Sequence, residues 1–211
     1  MANNRQAMLP EKTYHLFHHA IGEENLFRSA ENYRYFPQRY AEYIFPIAET
    51  FCYCLLPNHY HFLIRLRSEE EILDCLDPKK LKRQKWKDED KSISTLLANR
   101  IGTFQNAYAK AFNKQYNRGG GLFKQSFGRK EVKTDSYFTN AIHYVHANAV
   151  HHGFVKDILD WDYTSYHSFL ANKKSKLMKE EVFDWFGGKE QFIIHHKRDI
   201  DERLILEMED F

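Results

Sequence analysis

His59 and His61 stand two residues apart inside Phe51–Arg67 (FCYCLLPNHYHFLIRLR), a run of apolar and β-prone residues. Alternate side chains of a strand project to one face, so these two imidazoles have the geometry to grip one ion. Much later in the chain, Tyr144 and Asn148 are four residues apart, which on a helix is one turn along the same face. Two neutral imidazoles and one amide oxygen make a three-ligand set with positions left open. That suits a divalent ion that must also hold a phosphate oxygen. By itself the histidine pair is a weak signal, because such spacings arise by chance and a lone histidine more often sits hydrogen-bonded in a core or at a surface.

The elements that must position these groups follow from periodicity. Thr13–Ala20 (TYHLFHHA) reads as a first strand, closed by Gly22 and Glu23–Asn25. Ser29 is a plausible N-cap, with Asn32 where a capping box prefers Glu or Gln. The helix behind it, to about Glu49, carries Tyr33, Phe36, Tyr40, Ile44 and Ile47 as a stripe facing a sheet, interrupted by Pro37 and Pro46. Thr50–Leu56 and Tyr60–Arg67 are expected to form a hairpin around Pro57-Asn58. Strand, helix and hairpin together imply a sheet with helices on one face. A long helix from Ser92 or Ser94 to about Lys114 shows Leu97, Ile101, Phe104, Tyr108 and Phe112 on one side. Leu122–Lys133 resembles an edge strand, and Ser136–Ala147 a helix capped by Thr134 or Asp135. The expected division is a domain over 1–170, with a charged insertion at 68–91, and a C-terminal helical appendage over 171–211.

Composition narrows the class. The chain has 211 residues, 43% apolar and 28% charged, as in an ordinary globular protein. Its aromatic share of 16% is high, which serves either a core or base stacking. A net charge of +2 gives no general affinity for polyanions, so any nucleic-acid surface has to come from local clusters. One such cluster is Lys79–Lys87, where six of nine residues are basic, Lys79, Lys80, Lys82 and Arg83 among them. It is a phosphate-contacting arm or simply a solvated loop. The other is Lys124, Arg129, Lys130 and Lys133 interleaved with Phe123 and Phe127. It suits single-stranded nucleic acid, although edge strands also carry lysines to avoid aggregation. No stretch approaches a membrane span and no leader pattern opens the chain, so a cytoplasmic protein is expected. Cys52 and Cys54 share a strand face and read as small core residues.

Leu56–Ile64 (LPNHYHFLI) resembles the HUH motif, histidine, bulky hydrophobic, histidine, of the single-tyrosine transposases, a family of small insertion-sequence and repeat-associated enzymes. Ala141–Val155 (AIHYVHANAVHHGFV) is similar to that family's tyrosine helix, with Ala149 where proline is usual. Leu122–Phe127 (LFKQSF) and Trp161–Tyr166 (WDYTSY) match further family segments. The likeness runs over about Tyr14–Leu170 in the right order. It implies an α+β fold, a ferredoxin-like antiparallel sheet, and a homodimer acting on single-stranded or hairpin DNA. It further implies Tyr144 as the nucleophile that forms a 5′-phosphotyrosine, and His59, His61 and Asn148 as ligands of Mg²⁺ or Mn²⁺. A phenol with a pKa of about 10 needs a nearby cation or base to attack at neutral pH. Two other readings remain: a module that binds such DNA without cutting it, and a hydrolase using the metal to activate water, which the lack of a carboxylate beside the pair disfavours. His143, His146, His151 and His152, around the tyrosine, are expected to face solvent at a helix end.

Overall fold

A computed structural model describes residues 6–75, 93–171 and 173–198. Strands β1 (Thr13–His19), β2 (Ala48–Leu56), β3 (His59–Leu66) and β4 (Gly128–Val132) form one antiparallel sheet in the order β2-β3-β1-β4. Helix α1 (Ala30–Tyr43) connects β1 to β2, and after β3 come α2 (Glu69–Cys75) and the long α3 (Ile93–Gln115). This is the β-α-β-β-α-β layout of ferredoxin-like folds, so the expected α+β architecture is present. Among the described residues four α-helices follow β4: α4 (Asp135–His151), α5 (Tyr166–Leu170), α6 (Lys179–Phe186) and α7 (Lys189–His195).

Local chemistry explains α1. The Ser29 side chain accepts a hydrogen bond from the Asn32 backbone and caps the first turn. Pro37 inside the helix removes one backbone hydrogen bond at a cost of roughly 3 kcal/mol. Burial of Tyr33, Phe36 and Tyr40 outweighs it, at about 1.5–3 kcal/mol for each large apolar side chain. The helix ends at Tyr43, short of the expected Glu49. Pro46 disfavours helical backbone at Phe45, and the chain turns through 44–47 into β2.

β3 decides how the sheet is covered. Tyr60, Phe62 and Ile64 point to one face and His59, His61 and Leu63 to the other, all buried, so neither face can be left to water. On the first face, β1 and β3 pack against the stripes of α1 and α3, and most of the aromatic excess goes there: Tyr40 stacks on Phe62 at 4.1 Å and Phe36 meets Tyr108 edge-on at 4.8 Å. These two helices are the layer the sequence led one to expect. A second layer covers the opposite face. Phe138, Ala141, Ile142 and Val145 of α4 pack there with Cys52, Cys54 and Leu63, joined by Phe169, Val182 and Phe192 from the C-terminal helices.

The C-terminal segment is therefore stitched into the core. Arg65 of β3 bonds Glu181 of α6 at 2.6 Å, and the Met178 amide donates to the Thr50 carbonyl. Trp161–Tyr166, one of the family-like segments, runs along the free edge of β2. Amide bonds from Leu55 to the Tyr163 carbonyl and from Ser165 to the Tyr53 carbonyl close that edge. The expected strand at Leu122–Lys133 shortens to Gly128–Val132, while its first part is tied to the end of β1 by Ile21 N–H to Leu122 O and Lys124 N–H to His19 O. Among the described residues no helix is long and apolar enough to cross a membrane.

Candidate active site

Register builds the site. On the face under α4, β1 presents His15, Phe17 and His19; β3 pairs His61 opposite Phe17 and His59 opposite His19; β4 places Gly128 opposite Phe17 and Lys130 opposite His15. The α4 helix, capped by Thr134, lays Tyr144 and Asn148 over this patch. The Tyr144 ring meets both His15 and His61 edge-on, with centroids 5.7 Å away in each case. His59, His61, Tyr144 and Asn148, far apart in sequence, are all buried together.

The hydrogen bonds of the two histidines are alike. His59 Nδ1 pairs with Asn58 Oδ1 at 2.7 Å, and His61 Nδ1 pairs with His15 Nε2 at 2.8 Å. In both rings Nε2 is buried with no hydrogen-bond partner among the described residues, and the Asn148 amide atoms likewise make no hydrogen bond of standard geometry. Buried polar atoms of this kind are rare without an explanation such as an ion. Electrostatics keeps the imidazoles neutral, which a metal ligand requires. Burial pushes His59 down to about 2, helped by His19 and His152 and opposed by the nearby Asn148. Burial, then His59 and His15, hold His61 well below the usual histidine range. His15 falls to about 3 through burial and the charge of Lys130. Among the described residues no three His, Cys, Asp or Glu side chains are grouped to hold a metal ion.

The basic residues separate. Lys130 faces the site beside His15, whereas Arg129 lies on the other face, where it donates to the Gln6 carbonyl and packs over Phe127. Lys133 is exposed, 3.9 Å from Glu131. Lys124 is exposed at the end of β1, and its charge reaches both His19 and His59. With Arg129, Lys110, Asn106 and Gln105 it lines a polar cavity of about 500 Å³ between α3 and the 120–129 segment. Phe127 is buried and Phe123 stacks on His18 at 5.0 Å, so these aromatics serve packing. Lys79, Lys80, Lys82 and Arg83 lie outside the described residues.

Two expectations about histidines change. His143 and His146 are buried, because α4 is covered by α7 on the side away from the sheet. His146 bonds Ser165 Oγ at 2.8 Å and His196 at 2.9 Å. Only His151 and His152, past the covered stretch, are exposed. The sequence reading also missed His15, His19 and Asn58. The signal was there in part, since His15, Phe17 and His19 alternate along β1, but only the pairing of β1 with β3 turns that face toward His59 and His61.

No family model matches the chain. A Haemophilus influenzae protein provisionally named REP-associated tyrosine transposase is 27% identical over 140 residues, which are 66% of this chain and 68% of that protein. The fold is similar to the solved structure of a REP-associated tyrosine transposase bound to a REP hairpin, with a TM-score of 0.57 and 15% identity over 82% of this chain and 87% of that one. Sequence likeness, motif order and fold agree: the chain is similar to the REP-associated tyrosine transposases.

Proposed function

We propose that the chain cuts and rejoins single-stranded DNA beside a hairpin through a covalent tyrosine intermediate. The observation that carries this reading is the set of atoms left over around Tyr144: Nε2 of His59, Nε2 of His61 and the Asn148 amide, all buried and making no hydrogen bond of standard geometry among the described residues. These three residues would hold Mg²⁺ or Mn²⁺, which supplies Lewis-acid compensation for the charge that a phenolate adds to a phosphodiester. Tyr144 Oη attacks phosphorus and gives up its proton. The O3′ of the upstream nucleotide leaves and takes up a proton, so that a 5′-phosphotyrosine and a free 3′-hydroxyl result. Attack by another 3′-hydroxyl reverses the exchange, with one P–O bond made for each one broken. Lys130 beside His15 and Lys124 at the end of β1 would attract the DNA backbone, and the polar cavity next to Lys124 has room for a flanking nucleotide. The hairpin in the related structure supports a hairpin as the partner.

The test is a labelled REP-like hairpin with single-stranded flanks, incubated with Mn²⁺ and the protein, then resolved under denaturing conditions. Wild type is expected to form a DNA–protein adduct, while Tyr144→Phe binds the hairpin and forms none. His59→Ala is expected to lose the Mn²⁺ response. Binding without an adduct on any hairpin from the chain's own genome would refute the reading. The full burial of Tyr144 favours one alternative, a hairpin-binding module that does not cut, and that outcome is its signature.

A further inference from the structure

His15 is buried to 0% exposure on a central strand, and among the described residues its side chain makes a 2.8 Å link from Nε2 to His61 Nδ1. The ring centroids are 5.0 Å apart and the planes differ by 14°. That separation is what two imidazoles span when joined end to end by a hydrogen bond of this length, so the rings meet edge to edge in nearly one plane. Such alignment puts an N–H along the facing lone pair.

We infer that His15 is a positioning residue that fixes the tautomer and direction of His61, an inference that rests on the metal site proposed above. Two ring nitrogens 2.8 Å apart share one proton between them, so two arrangements exist. If His15 donates from Nε2, His61 accepts at Nδ1, carries its own proton on Nε2 and is closed to a cation. If His61 donates from Nδ1, its Nε2 lone pair is open toward the cluster shared with His59 and Asn148. His15 then accepts at Nε2 and holds its proton on Nδ1, a buried atom with no hydrogen-bond partner among the described residues. Asn58 imposes the same order on His59, because its amide oxygen can only accept, which forces His59 Nδ1 to donate and frees Nε2. One neighbour therefore backs each histidine, the turn residue Asn58 for the first and the β1 residue His15 for the second. The His15–His61 pair also forms the floor on which the Tyr144 ring rests, since both rings meet it at 5.7 Å. A group backing a metal-binding histidine from the far nitrogen commonly accounts for about 10–100-fold in metal affinity.

The test needs no catalysis. Nitrogen-15 NMR of metal-free wild type reads the His61 tautomer directly: a proton on Nδ1 is expected, and a proton on Nε2 overturns the inference. Mn²⁺ affinity, followed by electron paramagnetic resonance without DNA, is then compared among wild type, His61→Ala, His15→Leu and His15→Gln. His15→Leu is expected to weaken binding by about 10–100-fold. His15→Gln, whose amide oxygen can accept from His61 Nδ1–H, is expected to restore most of it, and this rescue separates positioning from mere filling of space. If His61→Ala weakens Mn²⁺ binding and His15→Leu does not, the role of His15 is overturned while the metal site stands. If wild type binds no better than His61→Ala, the metal site itself falls, and the inference falls with it. Should His15→Leu fail to fold, the wild-type tautomer and the His15→Gln affinity still decide.

Discussion

At the scale of single residues, the site depends on a glycine as much as on its histidines. A Cβ built on Gly128 would sit 2.1 Å from the Phe17 ring, far inside contact distance. That ring flanks His15 at 5.1 Å and His61 at 5.9 Å. Gly128→Ala therefore has to push a packed phenyl against the pair that orients the candidate ligand. The expected cost is about 1–3 kcal/mol of stability, typical of overpacking, together with weaker Mn²⁺ binding. Urea denaturation of Gly128→Ala and of Gly128→Ala/Phe17→Leu checks this, because the smaller side chain should return most of the loss. Equal midpoints for wild type and the single variant would mean the ring has room to move. Neither this contact nor the backing of His61 by His15 was legible in the sequence. That His59 and His61 share a strand face, and Tyr144 and Asn148 a helix face, was legible because those spacings are local. The roles of Gly128, Phe17 and His15 arise from strand pairs that join distant parts of the chain, and no local spacing encodes those.

At the scale of elements, α4 is the piece whose surroundings the sequence left open. The sequence suggested exposed histidines at its end, and the helix starts expected at Ser29 and at Thr134 or Asp135 are present. What periodicity cannot show is a second covering layer supplied by a segment forty residues further on. Phe192 of α7, fully buried, packs 5.0 Å from Phe169, 5.7 Å from Tyr166 and 4.1 Å from His196, and His196 in turn holds His146 of α4. This explains how a histidine expected in solvent becomes a core residue: His196, at the C-cap of α7, and Ser165 supply the polar partners that make the burial of His146 tolerable. Phe192→Ala should cost about 3–5 kcal/mol, the usual range for such a cavity, and should loosen the outer support of the helix that carries Tyr144. Hydrogen exchange along 141–149 gives the measurement. Protection lost there as well as in α7 is the expected pattern, and loss confined to α7 would show that α4 stands on the sheet alone.

For the molecule as a whole, the number of neutral buried imidazoles makes stability a function of pH. Away from the candidate ligands, burial lowers His18 and His143 to about 4 and His196 to about 3, while an unfolded histidine titrates near 6.5. Between those values the unfolded chain binds protons that the folded chain refuses, so the unfolded state carries more of them and stability rises with pH. The contribution is intact above about pH 6.5 and drains away as pH falls toward the folded values. Each strongly enclosed imidazole removes up to about 1.4 kcal/mol per pH unit in that window. Two of them would take about 2–3 kcal/mol per unit from a total on the order of 5–15 kcal/mol. Metal-free protein should thus show a urea midpoint that drops steadily from about pH 7 to about pH 5, where few carboxylates have yet been protonated. His143→Gln, which replaces one titrating ring with a neutral amide, should make that slope shallower whatever it does to the midpoint at neutral pH. A midpoint that stays level over this range would mean that protons reach these rings in the folded state, and the closed packing of α4 between the sheet and α7 could not then be right.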